Sequence, residues 1–119
     1  MAVTEIWHNP RCSKSRETLA LLKAQGVEPA IRLYLETPPD AAELRAVLDR
    51  LGLPSRELLR LKEARAAGID PEAGDEALIA AMAASPSLIE RPVVIAGDRA
   101  ALGRPPEAVL KVLDQRGGP

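Results

Sequence analysis

The sequence predicts an α/β fold on a mixed four-stranded sheet, ordered β-α-β … β-β-α, with a helical insertion between the halves. Three observations predict it. Near the start, a short apolar strand, a helical stretch and an alternating apolar run follow one another, a crossover that normally joins parallel neighbours. Near the end, Val93-Val94-Ile95-Ala96, Gly97-Asp98 and Arg99 to Leu102 form a hairpin pattern with a two-residue turn. Between these halves lie three apolar helical faces separated by Gly and Pro.

In order, Val3 to Trp7 reads as the first strand. Ser13 to Gln25 reads as a helix with Thr18, Leu19 and Leu22 at helical spacing, and Gly26 is a natural residue just past its end. Ile31, Leu33 and Leu35 alternate with Arg32 and Tyr34, which is a second strand. Asp40 is placed to cap a helix over Ala41 to Leu51, with Leu44, Val47, Leu48 and Leu51 on one face and Gly52 at its end. Ser55 is a candidate N-cap for a third helix carrying Leu58, Leu59 and Leu61, with Arg60 near its end. Gly68-Ile69-Asp70-Pro71 breaks the chain, and Asp75 to about Ala84 is a fourth helix carrying Leu78, Ile79 and Met82. After the hairpin, Pro105-Pro106 opens a last helix through Gln115, with Val109, Val112 and Leu113 facing inward. Residues 1–119 are expected to form a single domain with the helical insert at about 40–85. The order describes a thioredoxin-like sheet. In it Pro92, at the start of the third strand, would face the turn between the first strand and the first helix.

Composition narrows the function. A net charge of -1 creates no field to gather nucleic acid, and Trp7 and Tyr34 alone, with no Phe, give no platform for stacking bases. The longest apolar run, Ala77 to Ala84, is too short to span a membrane. With one cysteine there is no internal disulfide and no cysteine-rich zinc site. A free thiol and the absence of a leader ahead of Thr4 and Glu5 point to a cytoplasmic protein in a reducing compartment.

That cysteine, Cys12, sits in His8-Asn9-Pro10-Arg11-Cys12-Ser13-Lys14-Ser15-Arg16, a tight strand-to-helix turn. The free N–H groups and positive dipole end of the helix favour an anion there, and Arg11, Lys14 and Arg16 add positive charge. These conditions lower a thiol pKa and make Cys12 a candidate nucleophile. His8 either hydrogen-bonds the loop or helps stabilise the thiolate, and no further ligands surround it for a metal. Arg60, Arg91 and Arg104 stand at element ends, where guanidinium groups can clamp a tetrahedral oxyanion two oxygens at a time. Their spacing does not show whether they converge.

His8-Asn9-Pro10-x-Cys12-x-x-Ser15-Arg16 resembles the active-site loop of arsenate reductases of the glutaredoxin-coupled, thioredoxin-fold family, within the ArsC/Spx-like superfamily. The resemblance continues through Leu33-Tyr34-Leu35-Glu36-Thr37-Pro38-Pro39 and Glu57-Leu58-Leu59-Arg60. It returns at Ile89-Glu90-Arg91-Pro92-Val93-Val94 and Gly103-Arg104-Pro105, and so covers nearly the whole chain. It implies Cys12 as the nucleophile on arsenate, with His8, Ser15 and Arg16 stabilising the thiolate. Arg60, Arg91 and Arg104 would hold arsenate or a similar small oxyanion, and Pro92 would be a cis-proline. It implies no bound cofactor, glutathione as co-substrate and glutaredoxin as partner; the chain itself is expected to act as a monomer. Ser13-Lys14 departs from the smaller, uncharged residues of the best-known members, which bears on substrate choice, and the chain lacks the C-terminal extension of longer ones.

The cysteine count agrees with this chemistry. Arsenate reduction takes two electrons, and Ser15 stands where a Cys-x-x-Cys protein has its resolving thiol, so the second thiol must come from outside. Two other readings share the fold: a glutathione-dependent thiol reductase with another substrate, and a Spx-type regulator that binds RNA polymerase. Ser15 argues against the regulator, which usually carries Cys-x-x-Cys.

Overall fold

The computed structural model describes residues 4–116, and the chain divides into two units. The first gathers the chain up to Tyr34 and from Arg91 onward, and the second is Leu35–Glu90. Among the described residues no helix is long and apolar enough to cross a membrane.

The first unit is the sheet unit. Its strands are β1 (Thr4–Trp7), β2 (Ala30–Arg32), β3 (Val93–Ala96) and β4 (Arg99–Leu102), in the spatial order β2-β1-β3-β4. β1 runs parallel to β2 and antiparallel to β3, and β3 is antiparallel to β4. Helix α1 (Ser13–Ala24) makes the parallel crossover and ends where Gly26 takes the left-handed conformation at φ 80. The hairpin has the expected two-residue turn, since Ala96 pairs with Arg99 across Gly97-Asp98. Ile6 on β1 pairs with Val94 on β3, and both are fully buried against Leu22 of α1 and Val109 and Val112 from the C-terminal segment. This apolar layer fixes α1, and with it the loop that precedes α1, against one face of the sheet.

Two expectations in this unit are corrected. The second strand is shorter than the alternation suggested, because Tyr34 to Glu36 form a turn. Ile31 and Leu35 are 48% and 43% exposed, while Tyr34 is buried. β2 lies at the sheet edge, where only one neighbour constrains the pattern, so alternation there is a poor guide to the inward face. The last helix begins as a 3-10 turn over Pro106–Val109 and becomes α-helical only as α6 (Leu110–Arg116). The first expected residue, Val3, and the tail beyond residue 116 lie outside the described residues.

The second unit is helical. Asp40 caps α2 (Ala41–Leu51): its carboxylate accepts from Glu43 N at 2.8 Å, and Glu43 Oε1 accepts from Asp40 N at 3.1 Å, a reciprocal capping box. Leu44, Val47 and Leu48 form its buried face, against α5 (Asp75–Ala84) with Leu78, Ile79 and Met82. The single third helix expected from Ser55 is in fact two, α3 (Ser55–Leu58) and α4 (Leu61–Ala66). Leu59 forms an isolated antiparallel bridge with Ile89. Glu90 N donates to Leu58 O and Arg60 N to Leu88 O, both at 2.7 Å. That pairing holds the backbone extended at Leu59-Arg60 and interrupts the helix. Ser55 is not the N-cap, which is Pro54. Its buried hydroxyl donates instead to Asp75 Oδ1 at 2.5 Å.

Candidate active site

The loop between β1 and α1 is held by its own polar atoms. His8 N donates to Arg32 O at 2.8 Å, carrying the β1–β2 ladder one residue past the strand. Asn9 then organises the turn. Its Oδ1 accepts from Arg11 N at 3.0 Å, its carbonyl accepts from Cys12 N at 3.0 Å, and its own N–H donates to Ser15 Oγ at 3.0 Å. Arg16 Nη1 donates to Pro10 O at 2.9 Å and closes the loop from the helix side. Asn9 was not singled out from the sequence, although an Asn before Pro is a known turn former whose side chain bonds the backbone two residues on.

These bonds place Cys12 at the N-cap of α1, with extended backbone (φ -96, ψ 122) and its carbonyl accepting from Arg16 N at 3.0 Å. A serine or aspartate at this position would accept hydrogen bonds from the first free N–H groups. The neutral thiol makes no such bond, but a thiolate is suited to it. Partial burial pushes the Cys12 thiol up. The Ser15 N–H, the Arg91 charge, the Lys14 N–H and a hydrogen bond from Arg91 outweigh that, and the net shift is downward from the ordinary thiol value. The positive environment therefore comes from two helix amides and from Arg91. Lys14 contributes through its amide.

His8 and Ser15 form a buried pair behind the loop. His8 is 7% exposed and Ser15 fully buried, with His8 Nδ1 2.6 Å from Ser15 Oγ. Burial, and then the charge of Arg16, push the His8 pKa below its ordinary value of 6.5, so the ring is neutral at pH 7. The Ser15 hydroxyl is taken up by His8 and Asn9, and only its amide reaches the sulfur. Arg16, expected beside the thiolate, braces Pro10 and acts on His8.

On the neighbouring segment, Arg91 leads into the buried Pro92 and β3. The Arg91–Pro92 and Arg104–Pro105 bonds are both cis. Gly103 N donates to Pro92 O at 2.9 Å, and Arg104 Nη1 donates to Arg91 O at 3.3 Å. Arg91 Nε is buried with no hydrogen-bond partner among the described residues. The structure thus brings Arg91 to Cys12 and Arg104 to the backbone of Arg91. Arg60 belongs to the helical unit, where Nη1 donates to Ser87 O at 3.1 Å and Nη2 lies 3.5 Å from Glu63 Oε1. Among the described residues no group of three His, Cys, Asp or Glu is placed to hold a metal ion.

A thioredoxin-like sheet with one cysteine capping its first helix and an arginine at the sulfur defines a narrow class of protein. The model of the ArsC family matches residues 7–112, and the chain belongs to that family. It is 56% identical over 113 residues to the protein YfgD of Escherichia coli, covering 92% of this chain and 95% of that one. It is 44% identical over 117 residues to the arsenate reductase of Neisseria meningitidis, covering 95% of this chain and 100% of that protein. The solved structure of an arsenate reductase from Vibrio cholerae superimposes with a TM-score of 0.84 at 47% identity, covering 93% of this chain and 98% of that one.

Proposed function

We propose that this chain reduces arsenate to arsenite with thiols, using Cys12 as nucleophile and glutathione as the second thiol. The observation that carries the reading is the Cys12 thiol at a helix N-cap with the Arg91 guanidinium beside it. Such a sulfur is more readily ionised to thiolate than a free cysteine, and a guanidinium beside it is suited to the oxygens of an oxyanion. Arg104 joins Arg91 as an oxyanion ligand, and Arg60 is assigned the same part by its place in the Glu57-Leu58-Leu59-Arg60 motif.

The Cys12 thiolate attacks arsenic and displaces one oxygen as water, giving a thiolate–arsenate adduct. Glutathione then attacks, arsenite leaves with the electron pair, and Cys12 and glutathione remain as a mixed disulfide. Two thiols have given one electron each, and arsenic has gained two. The thiol of glutaredoxin exchanges onto the glutathione sulfur and returns Cys12 as thiolate. Ser15 has no thiol to replace the external one. The cytoplasm, where glutathione keeps thiols reduced, suits a protein with one free cysteine.

The test is NADPH consumption with arsenate, glutathione, glutaredoxin and glutathione reductase. The wild type consumes NADPH in proportion to arsenate, and Cys12→Ser, still folded by circular dichroism, does not. Turnover of a glutathione mixed disulfide with none of arsenate would remove arsenate and leave the thiol chemistry. Capture of RNA polymerase with no turnover of either would replace the enzyme by a regulator.

A further inference from the structure

We propose that Gly103 is a positioning residue of the site: by carrying no side chain it lets Pro92 seat against Thr18, which holds the Arg91 guanidinium at the Cys12 sulfur. Gly103 is buried at the end of β4 and its φ is not in the left-handed region, so its backbone conformation does not demand glycine. The space does. A Cβ on Gly103 would lie 2.6 Å from Pro92 Cγ, 2.6 Å from Thr18 Oγ1 and 3.0 Å from Pro92 Cδ. Carbon contacts settle at about 3.5–4.0 Å, so a methyl group cannot enter unless a neighbour moves.

Neither neighbour yields easily, and both lead to the sulfur. Pro92 is a closed ring held through its carbonyl by Gly103 N at 2.9 Å, and it follows Arg91 directly. Thr18 is fully buried on α1, and its hydroxyl donates to Lys14 O at 2.8 Å, in the turn whose amides face Cys12. Its branched side chain has few alternative rotamers in a helix. Displacing Pro92 displaces Arg91, and Gly103 therefore acts on Cys12 through Arg91. The inference rests on the assignment of Cys12 and Arg91 to the site, but its readout needs no arsenate, so either can fail alone.

The experiment is the pH dependence of Cys12 alkylation in the wild type, Gly103→Ala, Arg91→Gln and the double variant, with the fold checked by circular dichroism. In Gly103→Ala the midpoint rises toward the free-thiol value of about 8.5. In the double variant it stays where Arg91→Gln alone puts it. A folded Gly103→Ala with the wild-type midpoint, or two shifts that add in full, overturns the proposal. Should Gly103→Ala not fold, Thr18→Ala/Gly103→Ala is titrated instead, since the crowding against Pro92 remains. There too the midpoint rises, and a wild-type midpoint contradicts the proposal.

Discussion

Ser15 turns its hydroxyl to His8 Nδ1, at 2.6 Å, while its backbone N–H is among the groups that lower the Cys12 pKa. One residue therefore joins a buried hydrogen-bond pair to the electrostatics of the thiol, and the two contributions are separable by mutation. In Ser15→Ala the amide stays and the hydroxyl goes. Leaving His8 Nδ1 and Asn9 N unpartnered is expected to cost about 1–3 kcal/mol of stability, read from the denaturant midpoint. The Cys12 alkylation midpoint should move less than in Arg91→Gln, where a charge and a hydrogen bond to the sulfur are both lost. A larger shift in Ser15→Ala would mean that the hydroxyl, and not the amide, holds the thiolate.

The pH dependence of stability follows from His8. Its folded-state pKa lies below the ordinary 6.5, so the unfolded chain takes up the proton first as pH falls. The stability tied to neutral His8 is fully present above the ordinary value and is lost as pH drops through it toward the folded-state value. The melting temperature should begin to fall as pH drops to about 6.5 and go on falling toward the lower folded-state value. In His8→Gln that part of the slope should flatten. An unchanged slope would assign the pH dependence to other groups.

The arginines test the oxyanion site. A guanidinium gives two parallel donors where a lysine gives a point charge, so Arg91→Lys should lower kcat/KM for arsenate nearly as much as Arg91→Ala. The loss of a charge-assisted hydrogen bond, about 1.5–3 kcal/mol, corresponds to roughly a tenfold to hundredfold fall. Arg60→Lys and Arg104→Lys are expected to fall in the same range, with smaller effects on a neutral disulfide substrate. Wild-type arsenate kinetics in all three would leave the fold without the oxyanion site.

The helical unit offers a control. Asp40→Ala removes one half of the capping box on α2 and is expected to cost about 0.5–2 kcal/mol of stability. The Cys12 alkylation midpoint should not move. A shift there would show that the thiol responds to general loss of stability and not to its own neighbours.

Much of this was legible in the sequence, and for identifiable reasons. The strand-to-helix turn at Cys12, the hairpin at Gly97-Asp98 and the Asp40 cap are local patterns, set by residues within a few positions of each other. The errors share another cause. The break at Leu59-Arg60 depends on pairing with backbone far along the chain, at Leu88 to Glu90, and the inward face at β2 depends on its edge position in the sheet. The source of positive charge at Cys12 was misplaced in the same way. The local cations were visible, but Arg91 comes to the sulfur only through the fold, and Arg16 turns to Pro10 and His8. Gly103 gave no local signal at all, because the atoms that exclude a methyl group come from Thr18 and Pro92.

The most direct measurement of the central claim is the intact mass of the protein after a single turnover with arsenate and glutathione, without glutaredoxin. The account predicts one glutathione per chain, located at Cys12 by peptide mapping, together with an equal amount of arsenite, and neither product when arsenate is omitted. Arsenite formed without a glutathione adduct on Cys12, or an adduct that forms equally well without arsenate, would contradict it.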